Sequence, residues 1–310
     1  MQRMRDLSRV FLGEKDIEDA LKVLEELAED EGLVAAADTN TVVRKVKPKV
    51  DHMYHKSVID DLRSWLHPPN EQALNHESKR QPDSCKWFFG EEFKEWKAQR
   101  NGVYWVYGHA GAGKSILCSS VIDKLKEDPA LTLAYFYFDY SDTAKQNCQA
   151  LASSLVFQLA TCSAKCQAYL QEKQSSRSPT YDELLVLLSG LLALSGLTYI
   201  VIDALDECPE RVRNRTGLWR FFEHLRSFWD QDDIDVRVFV TSRPEIDIKS
   251  YLSSLIPRSL NINVAREHAE DIRNYLFTWL FGSESEPFSH WDQNTKWMVY
   301  NTLDERSDGM

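Results

Sequence analysis

Apolar positions along the chain change their period near Asn101. Before it, helical spacing dominates. Ile17, Ala20, Leu21, Leu24, Leu27 and Ala28 recur at a period of 3.6 within Glu14–Glu31, with acids on the other face, which predicts an amphipathic helix. ADTNTVVRKVKPKV, residues 37–50, breaks that pattern and reads as a polar linker. A second helix is expected from Met53 to Leu66, stopped by Pro68-Pro69. HPPNEQALNHESKRQPDS follows as a surface loop, and WFFGEEFKEW as a short helix.

After Asn101 the chain alternates strand and helix. Compact apolar runs predict strands at GVYWVY (102–107), LTLAYFYF (131–138), TYIVID (198–203), DVRVFVT (235–241) and SLNINV (259–264). Helices are expected over 114–126, over 144–171 as one piece or two, and over 181–194, 216–229 and 266–280. On the 216–229 helix, Leu218, Phe221, Phe222, Leu225 and Trp229 share one face. Serial strands separated by helices require right-handed crossovers, so the expected fold class is α/β: a mostly parallel five-stranded sheet flanked by helices, with a helical segment before it. The corresponding domain plan is a helical segment and linker over 1–63, a nucleotide-binding domain over 64–265, and the start of a further helical region over 266–310.

One interruption carries chemistry. After GVYWVY the chain reads GHAGAGKS, residues 108–115, a full match to G-x-x-x-x-G-K-[ST] placed between a buried strand and a helix. The pattern arises by chance on the order of once per hundred chains of this length. Glycines allow backbone N–H groups to turn toward phosphate oxygens, and the helix start adds the positive end of its dipole. Gly108, His109, Ala110, Gly111, Ala112, Gly113, Lys114, Ser115 and Ile116 are therefore the expected nucleotide-binding residues. Lys114 would reach the β- and γ-phosphates, and Ser115 would hold Mg²⁺.

A phosphate loop needs a carboxylate from a neighbouring strand end. Asp203 closes the apolar run YIVI and is the expected second metal residue. Hydrolysis also needs a group to orient and deprotonate water. Asp206 and Glu207 follow directly; Glu207 is the first choice, and Asp206 either shares that role or supports the metal shell. Arg243 leaves the strand 235–241 just before Pro244. If that strand lies between the loop strand and the Asp203 strand, all three tips meet at one carboxyl edge, and Arg243 senses or stabilises the γ-phosphate. Trp87, Phe88 and Phe89 read either as core aromatics or as a stacking surface for the base.

Composition narrows the picture. The chain has 310 residues, 43% hydrophobic and 27% charged, with a net charge of −11. That balance argues against nucleic acid or an anionic membrane as the main partner. The six cysteines form no C-x-x-C pair and read as reduced thiols in a cytoplasmic protein; Cys162 and Cys166 would share one helix face. Leu184–Ile202 runs without a charge, long enough to span a bilayer. Gly190, Ser195 and Gly196 interrupt it, so a buried helix, a tight turn and a buried strand fit better.

GHAGAGKS, YIVIDALDEC and FVTSRPE, in this order and spacing, resemble the NACHT-type signalling NTPases of the STAND class, with the fungal NLR-like, nephrocystin-3-like proteins nearest. Ala204 followed by the acidic pair matches the family pattern, as do SWLHPPN and WFFGEEFKEW upstream. The resemblance runs from Ser64 to Met310. It implies Mg²⁺ with ATP or GTP, slow hydrolysis, and a switch from a closed diphosphate state to an open, homo-oligomerising triphosphate state. It also implies an extra strand between the loop strand and the Asp203 strand. The family continues into more helices and a winged-helix region that supplies a histidine to the diphosphate, and no residue here is assigned to that role. A truncated chain, a partial gene product or a minimal member is therefore expected. The alternative function is a nucleotide-binding scaffold without significant hydrolysis. A small-molecule kinase is disfavoured by the absence of an arginine-rich lid after Arg243, and a nucleic-acid motor by the absence of a basic stripe. The base is left open: no N-K-x-D element is found.

Overall fold

The computed structural model describes residues 39–70, 84–209, 212–229, 234–255, 258–264, 266–282 and 288–307, with the isolated helical position 22. Apart from position 22, the helix expected over Glu14–Glu31 lies outside the described residues. The chain divides into two units, Met1–Trp65 and Leu66–Met310.

In the first unit, helix α1 (Thr39–Leu66) begins well before the expected Met53 and takes in the supposed linker. Pro48 falls inside it, where proline ordinarily costs about 3 kcal/mol by removing a donor and crowding the preceding turn. Its lysines and arginine are good helix formers and its valines acceptable ones, so a mixed, polar segment was no sign of a linker.

The second unit is built on five parallel strands in the order β2-β3-β4-β1-β5: β1 (Gly102–Tyr107), β2 (Thr132–Tyr137), β3 (Leu197–Asp203), β4 (Asp235–Ser242) and β5 (Arg258–Asn261). The fold class is thus α/β with the sheet expected. Strands β1, β3 and β4 are central and buried on both faces, which is why they read as unbroken apolar runs. Strand β2 is an edge, and the Gln158 side chain covers part of it by bonding both the N–H (2.9 Å) and the carbonyl (2.8 Å) of Tyr135.

Helices flank the sheet: α2 (Glu91–Ala98), α3 (Lys114–Lys126), α4 (Cys148–Thr161), α5 (Ala164–Lys173), α6 (Tyr181–Ser195), α7 (Val212–Arg226), α8 (Ile246–Leu255), α9 (Arg266–Phe281) and α10 (Gln293–Ser307). Helix α6 starts with a capping box: Thr180 accepts from the Glu183 N–H, and Glu183 accepts from that of Thr180. It ends at Gly196, whose φ of +67° makes the tight turn into β3. Among the described residues no helix is long and apolar enough to cross a membrane. The stretch 144–171 is two helices. Ser163 caps α5 through the Cys166 N–H, so Cys162 and Cys166 do not share a helix face as expected. Gly90 splits the expected WFFGEEFKEW helix into a 3₁₀ turn, Lys86–Phe89, and α2. Phe88, Trp96, Tyr104, Tyr199 and Phe239 form an aromatic core there; Phe88 and Phe239 centroids are 5.7 Å apart.

Candidate functional site

Strand β4 lies between β1 and β3, so the chain leaves β1 into the phosphate loop beside the ends of both acidic and basic strands. Register pairs Tyr107 with Ser242, and the Gly108 N–H donates to the Ser242 carbonyl at 3.2 Å. The connection is tight on its other side too. A Cβ at Gly108 would lie 2.5 Å from both Asn263 Oδ1 and Ile262 Cγ2, so a side chain there displaces the segment after β5. Asn263 Oδ1 accepts the His109 N–H at 2.9 Å and pins the loop.

Gly111 and Gly113 have φ of +80° and +71°, the left-handed turns that fold the loop over the start of α3. Gly113 caps α3 with no side-chain bond, so no side chain caps the first N–H groups of the helix, the arrangement a phosphate would need. Lys114 Nζ donates to the Gly108 carbonyl at 2.9 Å and the His109 carbonyl at 2.6 Å. Burial pushes its pKa down; Asp206 and Asp203 oppose that shift.

Facing the loop are the tips of β3 and β4. A cleft of about 280 Å³ is bounded by residues 110–116 on one side and by Asp203, Asp206, Glu207, Thr241 and Arg243 on the other. The structure thus brings together most of the residues expected from sequence. Gly108 and His109 do not line the cleft; their carbonyls hold Lys114 instead.

Asp203 is 1% exposed. Its carboxylate accepts the Thr241 hydroxyl, and Thr241 Oγ1 in turn accepts the Ala204 N–H at 3.1 Å. The buried Cys118 thiol also hydrogen-bonds Asp203; burial first, then that carboxylate, push the thiol pKa well up. Ala204 then takes the left-handed conformation, φ +53°, and starts a 3₁₀ turn, Leu205–Glu207. The small side chain at this position is matched to that turn.

The two following acids have different surroundings. Asp206, with its side chain 6% exposed, accepts the Arg243 N–H at 2.9 Å and pairs with Arg243 Nε at 3.2 Å. It is the anchor of Arg243 here, rather than a free carboxylate. Glu207 Oε2 accepts the Tyr140 N–H at 2.7 Å. Burial raises the Glu207 pKa, the Tyr140 bond lowers it, and Asp206, Asp203 and Asp139 raise it further. Of the two, it is Asp206 that pairs with Arg243.

Several residues at the site went unread in the sequence. Thr241 and Cys118 hold Asp203, Asn263 pins the loop, and Arg215 braces the acidic turn. His268 on α9 hydrogen-bonds the Ala112 backbone, and its Cε1 lies close to Gly113; burial lowers its pKa. Its Nε2 has no partner among the described residues. Polar side chains in or beside apolar runs, such as Thr241 in VFVTS, were the signal available. Trp87 Nε1 donates to Asp271 at 3.1 Å, and Phe88 is core, so these aromatics serve packing.

A model of the nephrocystin 3 N-terminal family matches residues 83–243. The chain belongs to the nephrocystin 3 N-terminal family. Within the curated proteins, the vegetative incompatibility protein HET-E-1 of Podospora anserina is 28% identical over 138 residues, covering 41% of this chain. The match spans 10% of that relative's length. Solved structures that the chain matches include an Aeropyrum pernix ORC2 protein in ADPNP–ADP complexes (15% identity, TM-score 0.40, 70% of this chain and 59% of that one). Another is Drosophila ORC bound to DNA (11% identity, TM-score 0.41, 80% and 55%). The family match covers β1 to Arg243 and so contains both sides of the cleft.

Proposed function

We propose that this nephrocystin 3 N-terminal family protein is a nucleoside-triphosphate switch of the NACHT-type STAND class that hydrolyses ATP or GTP slowly. The observation that supports it is the convergence of Lys114, Ser115, Asp203, Glu207 and Arg243 on one cleft. The switch module is proposed to span 64–265, with 266–310 opening the next helical region. In a longer protein it would homo-oligomerise with triphosphate bound, in the cytoplasm, without membrane or nucleic acid.

The residues fit a metal-bound triphosphate. The left-handed turns at Gly111 and Gly113 fold the loop over the start of α3, and among the described residues Lys114 is held by carbonyls it can exchange for phosphate oxygens. Among the described residues no cluster of three His, Cys, Asp or Glu side chains forms a metal cage. Ser115 and Asp203, both on the cleft, would hold Mg²⁺ together with phosphate oxygens. The ion would neutralise phosphate charge. Loop N–H groups and Lys114 bind the phosphates, Glu207 takes the proton of the attacking water, and Arg243 leaves Asp206 to stabilise charge on the γ-phosphoryl group.

The alternative, a scaffold that binds without significant hydrolysis, is favoured by one observation: both acids are engaged, Asp206 by Arg243 and Glu207 by Tyr140. Single-turnover assays with Mg²⁺–ATP and Mg²⁺–GTP decide. Turnover above solvent background is expected. Binding without turnover establishes the scaffold, and no binding of either nucleotide overturns both readings.

A further inference from the structure

Arg215, on α7, lies outside the set of residues that line the cleft. Its side chain is 7% exposed. Four hydrogen bonds engage its guanidinium. Nε donates to the Cys208 carbonyl at 3.0 Å, and one terminal nitrogen to the Asp206 carbonyl at 3.3 Å and the Glu245 carboxylate at 2.6 Å. The other terminal nitrogen donates to the Asp247 carboxylate at 3.0 Å. A buried charge is tolerated only when bonded this fully.

Where the bonds end is the point. The two carbonyls belong to the residues on either side of Glu207. The two carboxylates lie just beyond Arg243, on the segment entering α8. Glu207 is otherwise restrained by its N–H to the Ala204 carbonyl (2.8 Å) and by the Tyr140 bond. Arg243 is restrained by Asp206. One rigid fork therefore ties the turn carrying the base to the segment carrying the cation. Arginine's fixed planar donors suit this; a lysine ammonium cannot reach all four acceptors in the same directions.

We propose that Arg215 is a positioning residue for hydrolysis, holding Glu207 and Arg243 at one spacing across the cleft. The role rests on the hydrolysis reading above. It predicts a loss in turnover far larger than any change in nucleotide affinity, because among the described residues the phosphate loop makes no bond to Arg215. An arginine that merely braced α7 against α8 would lower stability without separating the two.

The test compares wild type, Arg215→Lys and Arg215→Met in binding of Mg²⁺–ATP and Mg²⁺–GTP and in single turnover, with thermal unfolding alongside. Arg215→Met is expected to bind as wild type and to turn over about tenfold to a hundredfold more slowly, the size of effect a displaced catalytic group produces. Arg215→Lys keeps the charge and part of the bonding, and should recover part of that rate. Glu245→Gln is the second probe if Arg215→Met does not fold. It weakens one anchor while the other three bonds stay, and should slow turnover with affinity unchanged. Wild-type turnover in a folded Arg215→Met or in Glu245→Gln overturns the role. So does a parallel loss of affinity, or a lysine variant no faster than methionine. If wild type binds but does not turn over, the hydrolysis reading fails and this role fails with it; active wild type with unaffected variants fails this role alone.

Discussion

The two sides of the cleft are made in opposite ways. The loop side is backbone: glycine turns, N–H groups at the start of α3, and one lysine resting on carbonyls of its own loop. The β3–β4 side is side chains: Asp203 held by Thr241, Asp206 by Arg243, Glu207 by Tyr140, and the turn itself by Arg215. A backbone cradle binds whatever carries phosphate and depends on few side chains. A side-chain network sets what happens next, and each member's role depends on which neighbour holds it. The contrast predicts that damage to the loop side appears in affinity, and damage to the other side in rate.

Glu207→Gln should give the largest effect. It keeps size and the acceptor for the Tyr140 N–H but removes the proton acceptor. Turnover should fall by about 10²–10⁴-fold if Glu207 is the general base, with affinity retained. The same carboxylate should mark the pH profile. Burial and three nearby acids raise its pKa, so it is protonated, and inactive as a base, at higher pH than an ordinary glutamate. The acid limb of the single-turnover rate should therefore lie above the usual glutamate range in wild type and vanish in Glu207→Gln. A limb that survives the substitution belongs to another group.

Lys114→Ala tests the opposite side. Losing one charge-assisted contact to phosphate costs about 1.5–3 kcal/mol, or roughly ten- to a hundredfold in affinity. Calorimetry with triphosphate should show that loss. An unchanged dissociation constant would remove the loop from the binding site and break the comparison.

The same contrast explains what could be read from the sequence. The loop is contiguous, so spacing alone located it, and helix Lys114–Lys126 begins and ends as expected. The central strands were legible because burial on both faces leaves nearly unbroken apolar runs. The position of β4 between β1 and β3 was posed as a condition and is met in the sheet order. Elsewhere local signals misled. No helix was expected just after Pro244, yet α8 starts two residues later; the segment 37–50 read as a linker, yet α1 runs through it from Thr39. Helix α10 was not anticipated at all. The hold of Asp206 on Arg243 joins residues 37 apart in the chain. Arg215 fell just outside the helix expected over 216–229 and drew no reading. Neither has a local signature, because both arise only when β3, β4 and α7 come together.

Asp206→Asn should give the smallest effect and the finest test of the division. Glu207 and Asp206 are neighbours of like charge, and a sequence reading could exchange them. In the structure Asp206 is a holder: its carboxylate takes both the backbone N–H and Nε of Arg243, whose side chain is 52% exposed. Asparagine keeps an acceptor for the N–H and loses the charge that retains the guanidinium. An ion pair with one exposed partner is worth about 0.2–1 kcal/mol. Arg243 must give up that much to reach a γ-phosphate, and in Asp206→Asn it need not. The preference for triphosphate over diphosphate should therefore rise by roughly 1.4- to 5-fold, the same energy expressed as an equilibrium ratio. Turnover should change far less than in Glu207→Gln. Competition binding of ATP against ADP, with single turnover beside it, reads both quantities. If Asp206→Asn instead loses turnover as Glu207→Gln is expected to, Asp206 is the base and the two roles are exchanged. If the triphosphate preference falls, Asp206 aims Arg243 at the phosphate rather than holding it away, and the pair acts as a guide in the bound state.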